Sequence, residues 1–165
     1  MEDQSEQLDS TESGYYPNWL GSALLNNGLP WDQASAYTVQ AFLEKYTLHD
    51  SLWVNLIHDV ANENHATLAI MWDAVWLPDE IAKSTDLVND WPILFIRLEQ
   101  VRQISTLGYE YVSDIHRGIA TAEIEEIDSK KVFVIHDHYR GSVEIVFEGQ
   151  SLFLALNVRK AVLKI

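Results

Sequence analysis

Thr47-Leu48-His49-Asp50-Ser51-Leu52-Trp53 is the stretch where a helical pattern stops and a strand pattern begins. Upstream, Val39, Phe42, Leu43 and Tyr46 recur at spacings of three and four, which makes one apolar stripe on a helix running to Tyr46. Asp32 or Ser35 can cap that helix. Downstream, residues 51–59 and 66–73 alternate as two strands, joined through the polar loop Ala61-Asn62-Glu63-Asn64-His65. Alternation puts Leu52, Val54 and Leu56 on one face of the first strand, with Trp53 on the other. Ala66, Leu68, Ile70 and Trp72 share a face of the second. A helix with an apolar stripe needs a sheet to cover, and here the sheet follows it directly.

Before this junction, residues 1–14 hold five acids, no base and a single large apolar side chain, Leu8. They cannot bury enough surface to offset the entropy of ordering, so a disordered acidic tail is expected there. Residues 15–165 are read as a single domain. Asn18 to Leu25 suits a short helix stopped by Asn26-Asn27-Gly28, with Trp19, Leu20 and Leu24 laid on the core.

After the hairpin, residues 74–89 form a long irregular connection that carries Trp76, Pro78, Asp79, Glu80 and Asp86, with Asp90 just beyond. Connections of that length tend to be functional. A short helix is expected over residues 79–83. Residues 91–99 make an apolar strand, and Val101 and Ile104 extend it or begin a neighbour. Four short strands follow at 119–127, 132–136, 142–148 and 151–157, spaced as in an antiparallel meander, and 158–165 is a strand or a short helix. The fold class this implies is α+β, with N-terminal helices packed on a curved antiparallel sheet of about six to eight strands.

Charge is the most informative bulk property. Eleven Lys and Arg face 25 Asp and Glu, a net −14. Residues 1–96 hold 15 acids and only Lys45 and Lys83 as bases, while residues 97–165 are nearly balanced, with ten acids and nine bases. Such a field repels nucleic-acid phosphates and anionic lipid and steers basic proteins inward. Cysteine is absent, which removes disulfides, thiolate metal sites and Cys nucleophiles and suits a reducing cytoplasm. No apolar run is long enough to cross a bilayer, and the acidic start is unlike a signal peptide.

Three His-Asp doublets, His49-Asp50, His58-Asp59 and His136-Asp137, offer the ligand types that borderline divalent metals prefer. A metal-dependent hydrolase would draw on His49, His136 and His138, the last two either sharing a strand face or flanking the turn at Tyr139-Arg140-Gly141. The structural alternative gives Asp50 the role of an Asx-turn at the strand start and lets His49 satisfy a carbonyl. No Ser-nucleophile elbow and no Gly-rich phosphate loop occurs. Six tryptophans are more than usual, and Trp76, in the acidic loop, is the one expected to be exposed as an anchor for a partner.

Three segments carry a resemblance: Leu48-His49-Asp50-Ser51-Leu52, then Phe95-Ile96-Arg97-Leu98-Glu99-Gln100-Val101, and Gly141-Ser142-Val143-Glu144-Ile145-Val146-Phe147. Together they resemble small bacterial proteins that include the immunity proteins of polymorphic toxin systems. Those proteins place an aromatic or apolar residue before His-Asp-Ser or His-Asp-Ala and follow it with a hairpin. Leu48 stands here for the usual Phe, and Leu52-Trp53 for an acidic residue. The resemblance implies a cytoplasmic, non-enzymatic binder without a cofactor, which neutralises a basic toxin domain. The residues expected to meet that partner are Trp76, Asp79, Glu80, Asp86 and Asp90. A third expectation is a scaffold subunit whose Trp-rich surface joins copies of the chain.

Overall fold

The computed structural model describes residues 9–11, 14–25, 28–35, 38–82, 91–111 and 116–165. Among these residues nine strands form two antiparallel sheets, and two further short strands, β1 (Asp9–Thr11) and β2 (Gly14–Tyr16), pair with each other ahead of them. Of the tail expected over residues 1–14, residues 1–8 and 12–13 lie outside the described residues.

The first sheet has five strands: β3 (Leu52–Asp59), β4 (His65–Met71), β5 (Ile93–Leu98), β10 (Ser151–Leu156) and β11 (Val162–Leu163). Their order is β11-β10-β5-β4-β3. The second has four, β6 (Val101–Leu107), β7 (Ile119–Ile127), β8 (Lys130–Asp137) and β9 (Ser142–Phe147), in the order β6-β9-β8-β7. Antiparallel character therefore holds, while the strand count and the division into two sheets differ from the single curved sheet expected. Val101 does not extend β5. Gln100 takes a left-handed conformation (φ 54°) and turns the chain into the other sheet.

The helices are short: α1 (Leu20–Leu25), α2 (Val39–Lys45) and α3 (Asp79–Ala82). The helix expected to begin at Asp32 or Ser35 instead starts after Thr38, whose hydroxyl accepts from the Ala41 N–H at 3.1 Å. Residues 31–33 form a separate 3-10 turn. Among the described residues no helix is long and apolar enough to cross a membrane.

One core lies between the sheets. Leu68, Ile70, Trp72, Leu94, Ile96 and Phe153 meet Phe133, Ile135, Val143, Ile145 and Phe147 there, with Val39 and Phe42 of α2 packed among them. A second, smaller core occupies the other face of the five-stranded sheet, where Leu20, Ala23 and Leu29 cover Ala69, Ile93, Phe95 and Leu154. The middle of the five-stranded sheet is thus buried on both faces, which explains why β5 is apolar without a break from Ile93 to Ile96.

Simple alternation places Leu52, Val54 and Leu56 on one face, but in the structure they divide. Leu52 and Val54 face α1, whereas Trp53 and Leu56 pack on the core between the sheets. The cause is a register shift between Trp53 and Asn55, a β-bulge that inverts the alternation beyond it.

Candidate functional site at the helix-to-sheet corner

The corner is fixed by backbone pairing to both sheets. Asp50 N–H donates to Ile119 O at 2.8 Å, Ile119 N–H returns to Ser51 O at 2.8 Å, and Ser51 N–H bonds Leu48 O at 3.0 Å. Ser51 is fully buried, and its hydroxyl accepts from Asp73 N–H at 3.0 Å. The Trp72 indole N–H donates to Thr47 O at 3.0 Å. These bonds hold Asp50 at a φ of 61°, a left-handed conformation that few residues other than Gly, Asn and Asp adopt readily.

His49 satisfies a carbonyl, since its Nδ1 lies 2.9 Å from Ala120 O. An N–H···O=C bond there leaves Nε2 as the free ring atom. Asp50 serves differently from the Asx-turn expected of it. Its carboxylate stands between two imidazoles, with Oδ2 3.5 Å from His49 Nε2 and Oδ1 3.2 Å from His138 Nε2. The two rings meet edge to face with centroids 5.4 Å apart. Either contact is an ion pair only while the imidazole carries a proton.

Trp76 joins this cluster. It ends a 3-10 turn, Ala74–Trp76, capped by the Asp73 carboxylate, which accepts from Val75 N–H at 2.9 Å. Its ring meets His49 edge to face at 5.7 Å and remains 43% exposed, and the neighbouring Val75 is 80% exposed. The other five tryptophans are buried or half-buried. The residue expected to anchor a partner and the histidine considered for chemistry are therefore in contact.

The remaining expected site residues divide as follows. Asp79 begins α3 and is exposed. Glu80 lies on α3, and Asp86 and Asp90 fall outside the described residues. His136 does not join His49 and His138. It faces away on β8, where its Nε2 meets Glu123 Oε1 at 3.4 Å, while His138 sits in the turn that follows. Among the described residues no group of three or more His, Asp or Glu side chains is arranged to hold a metal ion. His58-Asp59 closes the hairpin, with Asp59 accepting from Asn62 N–H at 3.2 Å and from Asn62 Nδ2 at 2.7 Å. The Asn62 side-chain bond holds the Asp59 carboxyl below its usual range.

Sequence reasoning passed over His116 and Tyr139. Their rings meet at 4.7 Å, and the Gly118 N–H donates to His116 Nδ1 at 3.1 Å. Gly118 separates His116 from His138, and a methyl group there would sit 2.9 Å from the His116 ring. The only signal of His116 and Tyr139 in the sequence is a His directly ahead of Arg117-Gly118 and a Tyr directly ahead of Arg140-Gly141. Trp76 and His138 thus both meet His49, His49 and His138 flank the Asp50 carboxylate, and His116 with the 72%-exposed Tyr139 lies across Gly118 from His138. Exposed aromatic edges around a carboxylate suit a protein surface or a cationic side chain. No protein-family model, no curated protein and no solved structure matches this chain.

Proposed function

We propose that the protein acts by binding rather than by catalysis, as a cytoplasmic immunity-type protein whose partner is a basic toxin domain. The observation that carries this reading is Trp76, a large aromatic left 43% exposed and seated on His49 beside the Asp50 carboxylate. A partially desolvated Trp next to charge is the usual anchor of an interface, and surrounding acids set the encounter rate with a basic partner. The acidic excess lies in the part of the chain that contains this corner, where residues 1–96 hold 15 acids against two bases. A Lys or Arg of the partner would lie against Trp76 with its charge on Asp50.

The test is capture of the partner from source cells, followed by binding kinetics. Trp76→Ala is expected to weaken the complex by about 2 kcal/mol, mainly through faster dissociation. Replacing Asp79, Glu80 and Asp86 by their amides is expected to slow association and flatten its salt dependence. Unchanged affinity and salt slope with all four residues replaced would remove this face from the interface.

A further inference from the structure

Among the described residues, the five-stranded sheet is covered on its α1 side as far as Phe95 and Ala69. Beyond them the same face continues as Ile57, Thr67 and Arg97, which sit opposite one another on β3, β4 and β5. A cavity of about 930 Å³ opens there, between the end of α1, Trp31 and the β3–β4 hairpin. That volume falls in the range of small-molecule sites. Its rim carries two large apolar side chains exposed without an evident structural use, Leu25 at 78% and Val60 at 68%.

About half of the lining side chains are polar, Arg97 and His65 among them. The Arg97 guanidinium lies over the Trp31 ring, 4.7 Å from its centroid, and gives Nη2 to Glu99 at 3.2 Å. Among the described residues Arg97 Nε and His65 Nε2 are both buried without a hydrogen-bond partner, and both side chains line the cavity. Leaving a buried donor unpaired costs about 1–3 kcal/mol, so Arg97 Nε–H calls for an acceptor, as does His65 Nε2 in the form that carries its proton there. Of the carboxylates nearby, Asp59 is taken up by Asn62, and Glu63 extends to solvent with Oε2 3.8 Å from His65 Nε2.

We propose that this cavity binds a small organic acid, with one carboxylate on Arg97 and His65 and an apolar body against Leu24, Leu25, Trp31 and Ile57. A monocarboxylate fits better than a phosphate. The guanidinium is already half-neutralised by Glu99, and a planar acceptor matches its fork. The negative field of the chain weakens the attraction, but at physiological salt that field is screened beyond about 8 Å.

The experiment titrates the full chain with phenylacetate and, separately, with its neutral amide, phenylacetamide, following chemical shifts and heats of binding. Phenylacetate is expected to bind and to shift signals of Trp31, Thr67 and Arg97, and the amide to bind about tenfold more weakly or not at all. Arg97→Gln is expected to remove that preference for the acid. Leu25→Glu, a rim change at an exposed position that leaves the core untouched, is expected to weaken both ligands by removing an apolar contact, and phenylacetate more than the amide because the new carboxylate repels it. Equal binding of acid and amide, no binding of either up to about 5 mM, or full acid binding by both variants would each overturn the proposal.

Discussion

Asp137 shows how much of this molecule rests on one buried carboxylate. It ends β8 and is 7% exposed, and Tyr109 O–H donates to its Oδ2 at 2.7 Å. Its Oδ1 accepts from Tyr139 N–H at 2.7 Å and from Gly141 N–H at 2.8 Å, which fixes the turn that carries His138 and Tyr139 to the corner. Burial alone would push the Asp137 carboxyl up. The Tyr109 hydroxyl, the two backbone N–H groups and nearby His116 outweigh it and hold the carboxyl below 3.8. Tyr109 moves the opposite way, pushed above 10.0 by burial and then by its bond to Asp137. A carboxyl depressed on folding stabilises the native state above its unfolded pKa and loses that contribution as pH falls through the folded one. Asp137→Asn is therefore expected to cost about 1–2 kcal/mol at neutral pH, measured by urea unfolding. The gap to the parent should narrow as pH drops below 3.8. A gap constant from neutral to acid would mean that the charge of Asp137 contributes nothing.

At the scale of elements, α2 is the piece whose stability comes from neighbours. Seven residues are too few to hold a helix by propensity alone, so it depends on its cap and on packing. Phe42, 1% exposed, meets Trp72 at 5.2 Å and Phe153 at 4.5 Å between ring centroids, joining the helix to the five-stranded sheet. Phe42→Ala is expected to cost about 3–5 kcal/mol and Thr38→Ala about 1 kcal/mol in thermal or urea unfolding. Comparable losses at the two positions would mean that the cap holds α2 in place as much as packing does. The stripe Val39, Phe42, Leu43, Tyr46 was legible in the sequence because side-chain period survives any topology. So were β7, β9 and β10, whose observed limits fall within a residue of those read from alternation and turn chemistry. What alternation could not reveal was the bulge at Trp53–Asn55, which moves Leu56 to the other face, or the transfer of Val101 to a second sheet. Both depend on cross-strand partners far away in the chain. The same holds for the candidate site. His49 and Trp76 stood out singly, but 27 positions separate them, and only the folded corner brings their rings to 5.7 Å. Arg97 gave no signal inside an apolar strand, since its meaning comes from Trp31 on a distant turn.

For the molecule as a whole, a net charge of −14 on 165 residues must act on stability. Compaction brings these carboxylates together, and self-repulsion opposes the folded state. The ion pairs Arg97–Glu99, at 3.2 Å, and Arg102–Glu148, at 2.7 Å, lie in the balanced second part of the chain. Arg102–Glu148 is an exposed pair on the surface, so salt has little attraction to remove there. Counterions therefore relieve more repulsion than they screen attraction. Raising NaCl from about 10 mM to about 0.5 M shortens the screening length from about 30 Å to a few ångströms and is expected to raise the melting temperature by roughly 2–6 °C. Much of that gain should vanish when the acids of residues 1–96 are partly replaced by amides, because the excess is concentrated there. A melting temperature that stays level or falls with salt would mean that the acidic charges are held far enough apart, or paired well enough, to be neutral towards folding.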